Sequence, residues 1–115
     1  MTIEELYTVA EGDFQSVLGR FGTKGLVERF VKKFPGDDSY AQLVEKLNAK
    51  EVEESFRAAH TLKGVCMNLG FEGLLKPVKE ITEILRAGSM DGTEELMAVI
   101  TEKYNVLCEA IRQLQ

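Results

Sequence analysis

Apolar residues recur at three- and four-residue intervals along nearly the whole chain, and no stretch alternates β-branched and polar residues as a half-buried strand would. That spacing restricts the fold to helices that each bury one face. Thr2 and Glu5 stand at the separation of a capping box, and Ile3, Leu6, Tyr7 and Ala10 follow the i, i+3, i+4, i+7 rule, with Gly12 as the stop. A second short piece, carried by Phe14, Val17, Leu18 and Phe21, starts after Asp13 and ends at Gly22. From Thr23 the pieces lengthen. Leu26, Val27, Phe30, Val31 and Phe34 form one stripe, interrupted by Pro35, which lacks an amide donor, and Gly36, which frees the backbone. Tyr40, Leu43, Val44 and Leu47 carry a helix that resumes after Asp38 or Ser39 and reaches about Asn48.

A longer segment runs from about Lys50 to Leu69 and is closed by Gly70, a residue type that ends helices in the left-handed conformation. The next spans about Phe71 to Ala87, with Leu74, Leu75, Val78, Ile81 and Leu85 inward. Pro77 would clash with the carbonyl of Gly73 if a full turn preceded it, so a loose or kinked first turn is expected. After "GSMDG" a last helix, about Thr93 to Leu114, turns Leu96, Val99, Ile100, Val106, Leu107, Ala110, Ile111 and Leu114 inward. Short connections between long amphipathic helices make them antiparallel neighbours. The expected fold is all-α: an antiparallel up-down four-helix bundle over residues 23–115, with residues 1–22 as short extra N-terminal helices capping it in a single domain.

Charge narrows the partners. With 14 Lys and Arg against 19 Asp and Glu, the net charge of -5 disfavours nucleic acid and anionic membrane surfaces, which call for a basic face. No apolar run reaches the roughly 18 residues of a membrane span, and the N-terminus is acidic where a signal peptide is basic, so a cytoplasmic protein is expected. Cys66 and Cys108 have no metal-ligand spacing and are expected reduced and buried. A monomer is expected.

The single histidine, His60, lies within "FRAAHTLKGVCMNLG". With Ala59 as the centre of the stripe, Val52, Phe56, Leu62, Cys66 and Leu69 fall within about 80° of it and His60 about 100° away, at the stripe's shoulder. Lys63 falls at about 40° and Gly64 at about 140°, flanking the line from His60 toward Met67. A helix-interior glycine costs roughly 1 kcal/mol relative to alanine, so Gly64 calls for a reason, and the missing side chain leaves room beside the ring for a phosphoryl group. Lys63 supplies a mobile charge for phosphate oxygens, and Arg57, one turn earlier, a second cation. An imidazole is largely neutral near neutral pH and serves as a nucleophile without an elaborate activating base.

The run "AHTLKGVCMNLG" resembles the signature of the histidine-containing phosphotransfer family, with His60, Leu62, Lys63, Gly64, Asn68, Leu69 and Gly70 in register. The likeness covers about residues 24 to 114. It implies that His60 is the phosphorylated residue, Lys63 a phosphoryl neighbour and Gly64 the space-maker. It also implies receiver domains of response regulators or a hybrid histidine kinase as partners. The family role needs no cofactor on this chain, and magnesium is expected on the receiver partner.

A lone helical histidine is most often structural; its spacing to Lys63 and Gly64 and the resemblance together reverse that reading. Arg57, Met67 and Asn68 are candidate partner contacts, although Arg57 reads first as a solvated surface arginine and Asn68 first as a helix-end polar contact. No metal site is expected, because one histidine without clustered carboxylates cannot supply three or four ligands. The chain also has no Gly-rich nucleotide-binding run near a helix start, so it is read as a phosphorelay intermediate and not as a kinase. The competing reading is a non-catalytic helical adaptor with a degenerate phosphotransfer site.

Overall fold

Local caps set the first three helices. In the computed structural model, which describes residues 1–114, α1 (Ile3–Val9) opens on the capping box: Thr2 Oγ1 accepts from the Glu5 N–H at 3.1 Å and Glu5 Oε1 from the Thr2 N–H at 2.8 Å. Asp13 caps α2 (Phe14–Phe21) and Thr23 caps α3 (Lys24–Lys33), each accepting from a backbone N–H three residues on. A 3-10 turn, Phe34–Gly36, holds Pro35 and leads through Asp37, which accepts from the backbone of Ser39, into α4 (Ser39–Asn48). Then come α5 (Val52–Leu69), α6 (Glu72–Arg86) and α7 (Thr93–Arg112).

The all-α expectation holds: the described residues contain helices and no strand. Helix α5 packs between α4 and α6, and α6 packs on α7. Tyr40 of α4 closes the ring of four. Its hydroxyl donates to Thr101 Oγ1 at 2.8 Å and its ring stacks on Tyr104 at 3.9 Å, both partners lying on α7. Val27 and Val31 of α3, Leu43, Ala59, Leu62, Cys66, Val78, Ile81 and Ile100 fill the interior. At the end where α5 turns into α6, Phe34 meets Phe71 edge-on at 5.1 Å, and buried Tyr7 of α1 donates its hydroxyl to the Leu69 carbonyl at 2.6 Å. The Gly73 N–H donates to the Ala10 carbonyl at 3.0 Å, fixing α1 against the same turn.

Several expectations need correction. Gly12 does not stop α1 by its own conformation; Glu11 takes the left-handed position at φ 56°. Lys50 belongs to the α4–α5 turn, at φ 60°, so α5 begins at Val52. Helix α6 runs unbroken through Pro77, which is buried. Val99 and Val106 were assigned inward but are 42% and 52% exposed. Each lies one residue, about 100°, before a buried position, Ile100 and Leu107, and lines an open groove, Val106 opposite Val9 of α1 and Val99 opposite Pro77 of α6. Phe30 likewise stands outside the core.

Candidate functional site

The core-facing side of α5 determines where His60 points. The buried positions are Ser55, Ala58, Ala59, Leu62, Cys66 and Leu69, while Val52 and Phe56 are only half-buried. On the helical wheel the buried set spans about 0° to -100° relative to Ala59, which moves the stripe's centre about 50° away from His60. His60 therefore sits roughly 150° from the buried centre, on the outer face rather than at a shoulder. It is exposed, midway along an 18-residue helix.

Among the described residues no hydrogen bond engages either ring nitrogen of His60. Among the described residues its ring contact is with Phe56, four residues earlier, the two rings lying 5.8 Å apart between centroids and inclined by 24°. Phe56 is itself covered by the guanidinium of Arg86 on α6, 4.9 Å from its centroid, and Arg86 is held in turn by Glu83 at 3.2 Å.

On the other side of the histidine lies Gly64. A Cβ built there would meet no atom within 4 Å, so the space beside the imidazole is open. Lys63 is half-buried, and among the described residues no carboxylate lies within pairing distance of its ammonium. Arg57 differs sharply. Its guanidinium is shared between Glu53 at 2.9 Å and Glu54 at 3.0 Å, and its carbonyl accepts from Thr61 Oγ1 at 3.0 Å. Met67 is 48% exposed two turns beyond His60. Asn68 is exposed at the helix end, where its carbonyl and that of Met67 accept from the Arg20 guanidinium at 2.6 and 3.3 Å.

No group of three or more His, Cys, Asp or Glu among the described residues is arranged to hold a metal ion. The thiol of Cys66, on the opposite face of α5, is pushed up to about 12 by burial, with Asp37 and Glu72 adding to the shift. It stays protonated and inert at neutral pH. Among the described residues no helix is long and apolar enough to cross a membrane.

Residues 26–115 match the family model of the Hpt domain. The chain belongs to the Hpt domain family. No curated protein and no solved structure matches it. Hpt domains are phosphotransfer intermediates of phosphorelays and not kinases. The Hpt match opens within α3 and includes the whole of α5, leaving α1 and α2 outside. Two residues beside His60 were not singled out from the sequence. Phe56 was assigned to the core stripe, although its separation of four from His60 is itself a signal that the rings share a face. Arg86 arrives from another helix, and nothing local announces it.

Proposed function

We propose that this chain is the histidine phosphotransfer protein of a two-component phosphorelay. His60 accepts a phosphoryl group from the aspartate of a receiver domain, or from a cognate kinase, and passes it to a response regulator. The observation that carries the reading is the combination, in an Hpt domain, of an exposed imidazole with no hydrogen bond among the described residues, an open gap at Gly64, and a Lys63 with no carboxylate partner among the described residues.

The transfer follows from that arrangement. The unprotonated ring nitrogen of His60 attacks the phosphorus of an aspartyl phosphate; the N–P bond forms while the P–O bond to the aspartate breaks, and the carboxylate leaves with the electron pair. The other ring nitrogen keeps its proton, so the ring carries a positive charge beside the phosphoryl oxygens. The reverse step loads the second receiver. Because the face of α5 around His60 is exposed, an incoming active site can approach from outside, and Gly64 leaves room for the phosphoryl oxygens. Lys63 contributes a mobile cation to the same oxygens. Magnesium belongs to the receiver in this scheme. The carboxylates nearest along the helix, Glu53 and Glu54, are engaged by Arg57. Every residue invoked lies on one helix, so a single copy of the chain suffices.

Incubation with a phosphorylated receiver should place acid-labile, base-stable phosphate on the wild-type protein and none on His60→Gln. Equal labelling of both proteins, or labelling of neither, would reject the phosphotransfer reading, the second result in favour of an adaptor.

A further inference from the structure

We infer that Phe56 is a positioning residue for His60, clamped from α6 by Arg86, so that the reacting imidazole is held in one orientation by a stack that spans two helices. The inference rests on the phosphotransfer reading and adds to it a residue that acts through the histidine without touching phosphate.

An exposed histidine on a helix is ordinarily mobile. In a helix the +60° well of χ1 is rare, which leaves two χ1 wells, and the imidazole χ2 is broad and roughly two-fold, so about four orientations compete. Two of the usual restraints are missing at His60: neither ring nitrogen has a hydrogen bond among the described residues, and Gly64 offers no side chain to pack against. What remains is Phe56, nearly parallel to the imidazole at 5.8 Å. Phe56 can serve as a backstop only if it is fixed itself. It is half-buried and lines, with Val52 and Leu85, a groove between α5 and α6, and the Arg86 guanidinium lies 4.9 Å from its ring centroid. Arg86 is anchored by Glu83 at 3.2 Å, one turn back on α6. The chain of contacts runs Glu83, Arg86, Phe56, His60, and it ends on the nucleophile. A phosphoryl donor then meets a ring already oriented on its open side, instead of waiting for one orientation in about four.

The test separates orientation from docking by using two donors. Phosphoramidate, a small donor that needs no protein surface, and a phosphorylated receiver are each offered to wild type, Phe56→Leu, Phe56→Tyr and Arg86→Gln. Phe56→Leu keeps apolar bulk but removes the flat face; it should accept phosphate about fourfold more slowly from both donors, matching the lost orientational restraint. Phe56→Tyr restores the ring and should return to within about twofold of wild type, and Arg86→Gln, which leaves α5 untouched, should fall between the two. Three-bond NMR couplings across the His60 χ1 should report one rotamer in wild type and averaging in Phe56→Leu.

Wild-type rates for Phe56→Leu with phosphoramidate would overturn the inference. So would slowing confined to the receiver, which would make Phe56 a docking contact, or averaged couplings already present in the wild type. If Phe56→Leu does not fold, the Phe56→Tyr and Arg86→Gln rates and the wild-type couplings decide. A wild-type protein that takes no phosphate from either donor sinks the phosphotransfer reading and this one with it; a labelled wild type with unaffected variants sinks only this one.

Discussion

A Cβ added to Gly12 would run into the carbonyl oxygen of Gly70, and one added to Gly73 into the carboxylate of Glu11, whereas a Cβ on Gly64 would meet nothing within 4 Å. The first two glycines lie where α1 is pressed against the α5–α6 turn; at Gly12 the obstacle is backbone that cannot give way, while at Gly73 it is the end of a flexible side chain with the Ala10 carbonyl 3.2 Å away. Gly64 lies on the open face of α5, where packing demands nothing and helix propensity is against it. The two regions teach how to tell a glycine kept for the fold from one that the fold does not require. At the turn the missing side chain is space occupied by a neighbour; beside His60 it is space left vacant.

The widest contrast comes from placing the same methyl group in both regions. Gly12→Ala forces backbone against backbone and should cost about 3 kcal/mol, lowering the melting temperature by roughly 10 °C. Phosphate acceptance by the folded fraction should be unchanged, because His60 lies about ten residues, or 15 Å, along α5 from the turn. Gly64→Ala should instead hold or raise stability by up to about 1 kcal/mol. Thermal unfolding of the two variants side by side checks both signs, and equal melting temperatures would erase the distinction.

The turn can be weakened more gently at Tyr7. Its hydroxyl donates to the Leu69 carbonyl, and Tyr7→Phe should cost about 1–2 kcal/mol by leaving that oxygen without its partner. Burial pushes the Tyr7 hydroxyl up to about 12, above the usual value of 10. A folded-state value above the unfolded one means that the neutral form stabilises the fold. The contribution is therefore complete below about pH 10 and is lost as pH climbs toward 12. Near pH 11 the unfolded tyrosine is mostly ionised, which removes about 1.4 kcal/mol from the wild type. Urea unfolding at about pH 8 and pH 11 should show an alkaline loss smaller by that amount in Tyr7→Phe. Identical losses would mean that Tyr7 ionises as freely in the fold as outside it.

On the open face the expected effect is on rate and not on stability. Gly64→Gln fills the gap beside the ring and should slow transfer about tenfold, equivalent to about 1.4 kcal/mol in the barrier, while the melting temperature moves by no more than a few degrees. Stopped transfer assays beside a melting curve measure both. A wild-type rate would show that the gap has no use.

Much of this was legible in the sequence because much of it is local. The capping box of Thr2 and Glu5, the caps at Asp13 and Thr23, and the left-handed Gly70 that ends α5 depend on residues within one turn of each other. The run from His60 to Gly70 carried the family resemblance for the same reason. What escaped depends on neighbours distant in the chain. The helical wheel identified α5 as amphipathic but misplaced the centre of its stripe, because Ser55 and Ala58 are buried by contact with other helices and not by their own polarity. Val99 and Val106 are apolar at helical spacing, yet nothing in the spacing says how wide a face α7 buries. The stack of Arg86 on Phe56 joins residues thirty positions apart, and that of Tyr40 on Tyr104 joins residues sixty-four apart. Periodicity cannot register either.

The smallest expected effect distinguishes the two cations of the histidine helix. Lys63 and Arg57 stand three residues to either side of His60, and by charge alone they are equivalent. Their surroundings are not. Arg57 is already held by Glu53 and Glu54, so its charge is balanced and its geometry committed along the helix, while Lys63 has no carboxylate partner among the described residues. A free ammonium can turn toward phosphoryl oxygens without first breaking an ion pair. A single cation that stays in contact with solvent is worth no more than about 1 kcal/mol, so Lys63→Ala should slow transfer, or shorten the lifetime of the phosphohistidine, by up to about fivefold and leave His60 able to react. Arg57→Ala should leave the rate within about twofold and cost the helix about 0.5 kcal/mol through the loss of two exposed pairs. Side-by-side transfer rates at low and high salt decide the matter. The Lys63 effect should shrink as salt screens the charge, and equal losses in both variants would show that simple proximity, and not the absence of a competing carboxylate, governs which cation serves the phosphoryl group.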